Sequence, residues 1–311
     1  MNYQEFSEKY EKVPVEHYPH SVPADPVVSV GIHTYQHVEY IRECLDGILM
    51  QETDFPFEIL LGEDASTDGT REICIEYADK HPDKIRLFLH SRENNIHLNG
   101  APSGRFNFMY NLLTAKGKYI AICEGDDYWT DPLKLQKQVD FLEANTEYVL
   151  TGTSCKALLK SGAYNNHRSF TKHRIVGKHD LLFSNQFTTC TTVFKNFQEV
   201  PKNMLQYISG DIAIWMYLAG KGKLVNLPFF SSIYRRHGMG ADSGKNVQEK
   251  FDTFFINREL ILKYYKLNFK EKINCIWFMI KSTISILFSN SINRNLKFKL
   301  NFKLMGLILN N

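Results

Sequence analysis

The chain has no pair of cysteines spaced C-x-x-C and no Asn-x-Ser/Thr sequon. Its six cysteines, Cys44, Cys74, Cys123, Cys155, Cys190 and Cys275, are widely scattered, and three fall in apolar stretches, where reduced core cysteines sit. A reducing compartment is favoured. Residues 1–25 are polar and carry no apolar h-region of a signal peptide, so the cytoplasm is the expected location. A strong charge of either sign is also missing. The net charge of +3 is too small to imply a nucleic-acid partner. The stretch 273–288 holds one charge, Lys281, in sixteen residues, which is short for a membrane span. What is present is ordinary globular composition: 43% hydrophobic and 23% charged over 311 residues, enough for a core in one or two domains.

Up to about Glu143 the chain alternates strand and helix patterns. Residues 27–32, 57–61, 85–89 and 119–123 read as buried strands, and 38–50, 70–78, 106–115 and 133–142 as helices. Asp131-Pro132 reads as an N-cap followed by proline at the first helical position. Repeated units of this kind build an α/β fold, with a mostly parallel sheet between helices. From Tyr148 to about Tyr234 the signals are mixed, with a β-branched run at 188–194 and a helix near 211–219, which suggests a second half packed on the same sheet.

The segment Glu124-Gly-Asp-Asp-Tyr-Trp129 closes the apolar run 119–123 and places three carboxylates within four positions at a strand tip. Like charges so close repel unless a cation lies between them, and this edge of an open α/β sheet is where ligands bind. The second strand ends in Gly62-Glu-Asp-Ala-Ser-Thr-Asp-Gly-Thr70. Asp64, Ser66, Asp68 and Gly69 match the start of an EF-hand loop, but its twelfth place holds Ile75 instead of glutamate, so a calcium loop fails. A strand-to-helix turn fits better. Capping explains Asp68 well and the Glu63-Asp64 pair poorly.

Three segments in this order, Val28-Ser-Val-Gly-Ile-His-Thr-Tyr35, Glu63-Asp-Ala-Ser-Thr-Asp-Gly-Thr70 and Gly117-Lys-Tyr-Ile-Ala-Ile-Cys-Glu-Gly-Asp-Asp127, resemble the family 2 glycosyltransferases, in the branch marked by Glu-Gly-Asp-Asp-Tyr-Trp. The likeness spans about 27–240. It implies the GT-A fold and inverting transfer of a sugar from a nucleotide-sugar, here a UDP-sugar, to a hydroxyl of a glycan or lipid-linked acceptor in surface polysaccharide synthesis. By the same resemblance, Thr34 and Asp64 would meet the base and ribose. Glu124 would face ribose or a metal-bound water, and Asp126 would ligate Mg²⁺ or Mn²⁺ on the diphosphate. Asp127 would lie behind the metal or on the acceptor side. Asp211, after Ser209-Gly210, would be the general base, although the residue alone also fits a helix cap. In Tyr234-Arg-Arg-His-Gly-Met-Gly240, two guanidinium groups and an imidazole before a loop expected to move suit a diphosphate. Arg235, Arg236 and His237 are thus donor-site candidates, with His237 also near the metal. Arg105 and Asn107 stand near the place of a donor-contacting Arg-Asn, with the spacing off. Departures from the pattern are His33 for proline, Gln36 for asparagine and Glu124 for aspartate. His33 either stacks on the base or fills the loop. His37, His97, Lys116 and Lys118 read as surface or loop residues.

The implied organisation is an N-terminal extension at 1–26, a nucleotide-sugar-binding half at 27–145, an acceptor-binding half at 146–245 and a basic amphipathic helical tail at 246–311. From Phe251 to Asn311 ten Lys/Arg face three Asp/Glu among apolar residues. That composition reads as an interfacial helix on an anionic membrane, peripheral on the inner face. The plainer reading is a helical appendage that covers the core or makes a homodimer contact. Two other functions are weighed. A sugar-1-phosphate nucleotidyltransferase would want a glycine-rich, basic loop after the first strand, where this chain has Ile32-His-Thr-Tyr-Gln-His37. A non-catalytic partner of a membrane synthase would have no need of Asp126, Asp211 and His237.

Overall fold

A computed structural model describes residues 1–98, 100–197, 199–238 and 246–287. Its elements, in chain order, are α1 (Tyr3–Tyr10), β1 (Glu16–His17), β2 (Val28–Thr34), α2 (Ile41–Leu49), β3 (Phe57–Glu63), α3 (Thr70–Lys80), β4 (Ile85–Leu89), β5 (Ile96–Leu98), β6 (Ala101–Ser103), α4 (Arg105–Thr114) and β7 (Tyr119–Glu124). The second half adds β8 (Tyr128–Trp129), α5 (Lys134–Ala144), β9 (Tyr148–Leu159), β10 (Tyr164–Arg168), β11 (Arg174–Val176), α6 (Lys178–Phe183), β12 (Val193–Lys195), α7 (Gly210–Leu218), β13 (Lys223–Arg236), α8 (Val247–Tyr264) and α9 (Phe269–Leu287). Among the described residues, eleven strands form one sheet with the path β1-β4-β3-β2-β7-β12-β9-β13-β11, while β10 pairs with β9 and β8 with β13.

The central strands β4, β3, β2 and β7 are mutually parallel. They are apolar on both faces because helices cover both faces. Alternate residues feed two cores. Val30, Ile32, Ile59, Leu61 and Leu87 pack with α2, α3 and α5, whereas Leu60, Phe88, Ile120 and Ile122 pack with α1, α4 and α7. Phe251, Phe255 and Ile261 of α8 and Cys275 and Met279 of α9 join the second core, so the C-terminal helices cover that face. Inside the sheet, Glu58 is fully buried and accepts from Ser29 Oγ at 2.6 Å and Arg86 Nη1 at 2.9 Å. That buried ion pair ties β2, β3 and β4 together.

The chain winds outward from β2 to β3 and β4, then returns to the other side of β2 as β7. The order reverses between β2 and β7, and a crevice at such a switch point is where open α/β sheets take ligands. In register, His33 lies beside Glu124 there. β12, β9 and β13 extend the same sheet beyond β7, with β12 antiparallel to both of its neighbours.

Some local expectations shift. The helix expected at 133–142 begins at Lys134; Asp131 does not cap it directly, and its Oδ1 instead accepts from Leu133 N at 3.0 Å. Asp68 likewise stands one place outside the cap of α3, because Gly69 occupies that position at φ 104°. Asp68 Oδ1 still holds Thr70 N at 3.0 Å. The β-branched run 188–194 holds a short 3₁₀ turn at Thr189–Thr191 and the start of β12 at Val193.

Candidate active site

The strand tip turns sharply after Glu124. Asp127 N returns to Glu124 O at 3.0 Å, and the chain re-enters the sheet as β8, pairing Tyr128 with Ile233 and Trp129 with Ser232 of β13. Tyr128 and Trp129 are buried, and the Trp129 indole donates to Cys190 O at 2.8 Å. Both therefore pack the tip and do not present a sugar-stacking face. Gly125 allows the tip to close on β2. A Cβ there would lie 2.7 Å from Thr34 Oγ1 and 2.8 Å from His37 Nδ1, too close for any side chain.

The three carboxylates of the tip differ in surroundings. His237 Nε2 donates to Asp126 Oδ2 at 2.8 Å, leaving His237 Nδ1 buried without a hydrogen-bond partner. Burial alone would raise the Asp126 carboxyl. The His237 hydrogen bond and the charges of His37 and His237 outweigh it and hold Asp126 below its ordinary value. Glu124 is pushed up to about 7, first by burial, against a lowering hydrogen bond from Thr189, and then by the charges of Asp126 and Asp211. Its Oε2 is buried and unpartnered. Asp127 lies deepest. Its Oδ1 accepts from Arg235 N at 2.8 Å, and burial, with Asp126 and Glu124 beside it, pushes its carboxyl well up.

The two arginines of β13 separate. Arg235 is buried, donates to Asp126 O at 2.7 Å, pairs with Glu43 and lies over the rings of Tyr40 and Tyr128 at 5.1 and 4.5 Å. Arg236 is exposed and donates to His167 Nδ1 at 2.9 Å. Met239 and Gly240, the end of that expected loop, lie outside the described residues. His37 is a loop residue, as read from sequence, and that loop brings it to the site. It shares a 3.2 Å hydrogen bond with Thr34 Oγ1, and its charge bears on Asp126.

On the β3 side, Asp64 Oδ2 accepts from Arg92 Nη1 at 3.0 Å and Asn95 Nδ2 at 3.1 Å, while Oδ1 is buried and open. Burial raises Asp64 to about 6 against those two donors. The Arg92 guanidinium lies 3.8 Å from the centre of the Tyr35 ring. Sequence reading missed Tyr35, Arg92 and Asn95. The available signal was their position just past the ends of β2 and β4, at the same sheet edge. His33 does not fill a loop, because it lies within β2; its ring lies 4.9 Å from Phe108, and its Nε2 is buried and unpartnered.

Asp211 is the second helical residue of α7 and does not cap it; Ser209 holds the cap position. Asn185 Nδ2 donates to Asp211 Oδ2 at 2.5 Å, and Oδ1 accepts from Ile212 N at 2.8 Å. Arg105 and Asn107 face inward. Arg105 is buried and donates to Tyr207 O at 2.9 Å and Ile208 O at 3.0 Å, fixing the approach to α7. Asn107 Nδ2 holds Gly62 O at 2.8 Å, and Asn111 Nδ2 holds Ile32 O at 2.8 Å and Leu60 O at 3.1 Å. These amides latch β2 and β3 from α4. The structure thus gathers Thr34, Glu124, Asp126, Asp127, Arg235 and His237 at one tip, with Asp64 along the edge and Asp211 within electrostatic reach. Arg236, Arg105 and Asn107 point elsewhere.

A family model described as "Glycosyl transferase family 2" matches residues 29–199, more than half of the chain. The chain belongs to glycosyl transferase family 2. Among its relatives in that family, an uncharacterized protein of Mycobacterium tuberculosis is 35% identical over 217 residues, 68% of this chain and 60% of the relative. The chain thus spans less than two thirds of that protein. WfaP of Escherichia coli, named a UDP-Glc:alpha-D-GlcNAc-diphosphoundecaprenol beta-1,3-glucosyltransferase, is 26% identical and covers 86% of this chain and 99% of its own. In structure the chain is similar to S. aureus TarS in complex with UDP-GlcNAc, with a TM-score of 0.61, 17% identity and coverage of 90% and 81% of the two chains. It is also similar to the mannosyltransferase PcManGT of Pyrobaculum calidifontis, in complex with GDP-Man and Mn2+, at TM-score 0.56, 16% identity and coverage of 99% and 93%. The architecture is that of GT-A glycosyltransferases, with a helical C-terminal part.

Proposed function

We propose that the protein is an inverting, metal-dependent hexosyl- or N-acetylhexosaminyltransferase. It moves a sugar from a UDP-sugar to a hydroxyl of a glycan or lipid-linked acceptor in surface polysaccharide synthesis. The observation that carries this reading is the Asp126–His237 pair at the β2/β7 switch point, with Asp211 close enough for its charge to reach Glu124. The name of WfaP, which pairs a UDP-sugar donor with a diphosphoundecaprenol-linked acceptor, supports the choice of substrate classes.

Thr34, at the tip of β2, and the open Oδ1 of Asp64 would contact base and ribose. Asp64 is flanked by the guanidinium of Arg92 and the ring of Tyr35. Arg235 anchors β13 to the tip and so places His237 over Asp126. Asp211 would take the proton of the acceptor hydroxyl as its oxygen attacks the anomeric carbon from the face opposite the nucleotide. Asn185 holds that carboxylate in orientation.

The donor set suits Mg²⁺ or Mn²⁺. A carboxylate and an imidazole lie side by side, and the His237 Nδ1 and Glu124 Oε2 atoms are buried without partners. Among the described residues no group of three or more His, Cys, Asp or Glu is arranged to hold a metal, so Asp126 and His237 would share the cation with diphosphate oxygens and water. When bound, the cation would offset charge developing on the leaving diphosphate.

The test is turnover of a panel of UDP- and GDP-sugars with Mn²⁺ or Mg²⁺. Asp126→Ala should lower kcat/KM by about a hundredfold or more, and Asp211→Asn should abolish transfer while nucleotide still binds. If no nucleotide-sugar is bound or turned over, and Asp126→Ala leaves nucleotide affinity unchanged, the reading is wrong.

A further inference from the structure

Helix α9 has two unlike faces. Cys275 and Met279 are buried in the core, and Phe278 lies against Phe183 at 4.9 Å and Phe254 at 5.6 Å. Phe269, Ile273 and Trp277, four residues apart and so on one side of the helix, remain 80%, 38% and 65% exposed. No other large apolar side chain among the described residues is as exposed as Phe269 or Trp277. Lysines border the stripe: Lys266, Lys270, Lys272 and Lys281 are all exposed. The nearby acid, Glu271, is engaged in the helix cap, accepting from Asn268 N at 2.8 Å. Beyond α9 the sequence 288–311 carries Arg294, Lys297, Lys299 and Lys303 and no acid.

The geometry points to α9 as a docking helix for an anionic phospholipid surface, with Phe269, Ile273 and Trp277 entering the interface and the lysines meeting headgroup phosphates. Charge decides between a lipid surface and a protein partner. A stripe bordered by cations and followed by an acid-free basic segment repels a second copy of itself and complements anionic lipid. An indole belongs at such an interface, with its body in the acyl boundary and its N–H in the headgroups. No helix among the described residues is long and apolar enough to cross a membrane, so the contact is lateral. The position also matters. α9 rests on α6 through the Phe183–Phe278 contact, and the chain leaves α6 directly into Asn185, the partner of Asp211. Docking would hold the acceptor side of the site near the membrane. This extends the lipid-linked acceptor reading above, but the contact needs neither donor nor acceptor, so the two can fail separately.

Tryptophan fluorescence provides a direct readout. The chain has three tryptophans, and Trp129 and Trp215 are 1% and 0% exposed, so a lipid-induced blue shift reports on Trp277. The full chain is titrated with vesicles of phosphatidylcholine alone and of phosphatidylcholine with phosphatidylglycerol, and binding is followed by flotation and fluorescence. Binding is expected to the anionic vesicles only, with a blue shift, and to weaken with added salt. Phe269→Ala/Trp277→Ala should bind at least about tenfold more weakly, and Lys270→Glu/Lys272→Glu should lose the preference for anionic lipid. All these positions are exposed, and far-UV circular dichroism serves as the folding control. Equal binding by the alanine variant, or none by the parent chain, overturns the inference. So does a Trp277-dependent dimer in solution that leaves vesicle binding untouched. Vesicle binding by a chain that neither binds nor turns over any nucleotide-sugar leaves this inference standing and removes the function proposed above.

Discussion

At the scale of single residues, environment separates groups that look alike in sequence. Glu124, Asp126 and Asp127 form one acidic cluster on paper. In the fold Asp126 is drawn down by His237, Glu124 is raised by burial, and Asp127 is committed to the Arg235 main chain. Asp64 was legible as an acid that capping did not explain. Arg92 and Asn95 were not, because only the parallel pairing of β3 with β4 brings the ends of both strands to one edge. Arg92→Ala should weaken nucleotide binding about tenfold or more, measured by calorimetry, since it removes a charged hydrogen-bond donor and the group lying over Tyr35. The pH dependence follows from Asp64. Burial lifts it to about 6, so below that value it carries a proton and can no longer accept from the base or ribose with both oxygens. Nucleotide affinity should be flat above about pH 6 and fall by up to tenfold per unit below it, and Asp64→Asn should flatten the curve.

At the scale of elements, the four central strands were readable, and most helix starts to within a residue, but the capping partners were not. A strand buried on both faces needs only a continuous apolar run, which survives translation into sequence. A helix start depends on which backbone N–H finds a partner, and here that partner sits one or two residues outside the expected cap, as with Asp68 and Asp131. Helix α4 shows a further limit. Asn107 stands in the sequence near the place of a donor contact, yet it and Asn111 are both buried and hold carbonyls of β2 and β3. Gly62 exists for this contact, because a Cβ there would fall 1.8 Å from Asn107 Oδ1. Gly62→Ala should therefore cost about 1–3 kcal/mol of stability. Combining it with Asn107→Ala should cost less than the sum of the two single changes, a coupling that a double-mutant cycle in urea unfolding would measure. Additivity within error would show that the latch is absent. Arg105 makes a parallel case at α7. Arg105→Met should free the carbonyls of Tyr207 and Ile208 ahead of α7 and lower kcat with little change in the KM for donor, because α7 carries Asp211.

At the scale of the whole molecule, the family pattern was legible through motif order and the sheet through its strand runs, but the contents of the second core were not. His90 is an example. It lies among Phe88, Phe106 and Tyr110, both ring nitrogens lack hydrogen-bond partners, and burial brings it down to about 3. The unfolded chain takes up that proton near pH 6.5, whereas the folded chain resists it until about 3. Its contribution is thus fully present above 6.5 and erodes by up to about 1.4 kcal/mol per unit as pH falls through that window. The melting temperature should drop on acidification, and His90→Phe should make the decline shallower. The continuous sheet has one more consequence, and it concerns stiffness. β13 lies parallel to β9 from Lys223 to Arg236, and β12 bonds to β7 on one side and β9 on the other. Bending the donor side against the acceptor side would break the bonds of β12 to both β7 and β9, so the described sheet is expected to move as one plate. Substrate capture should leave the radius of gyration in X-ray scattering unchanged, with adjustments confined to segments beyond the strand ends.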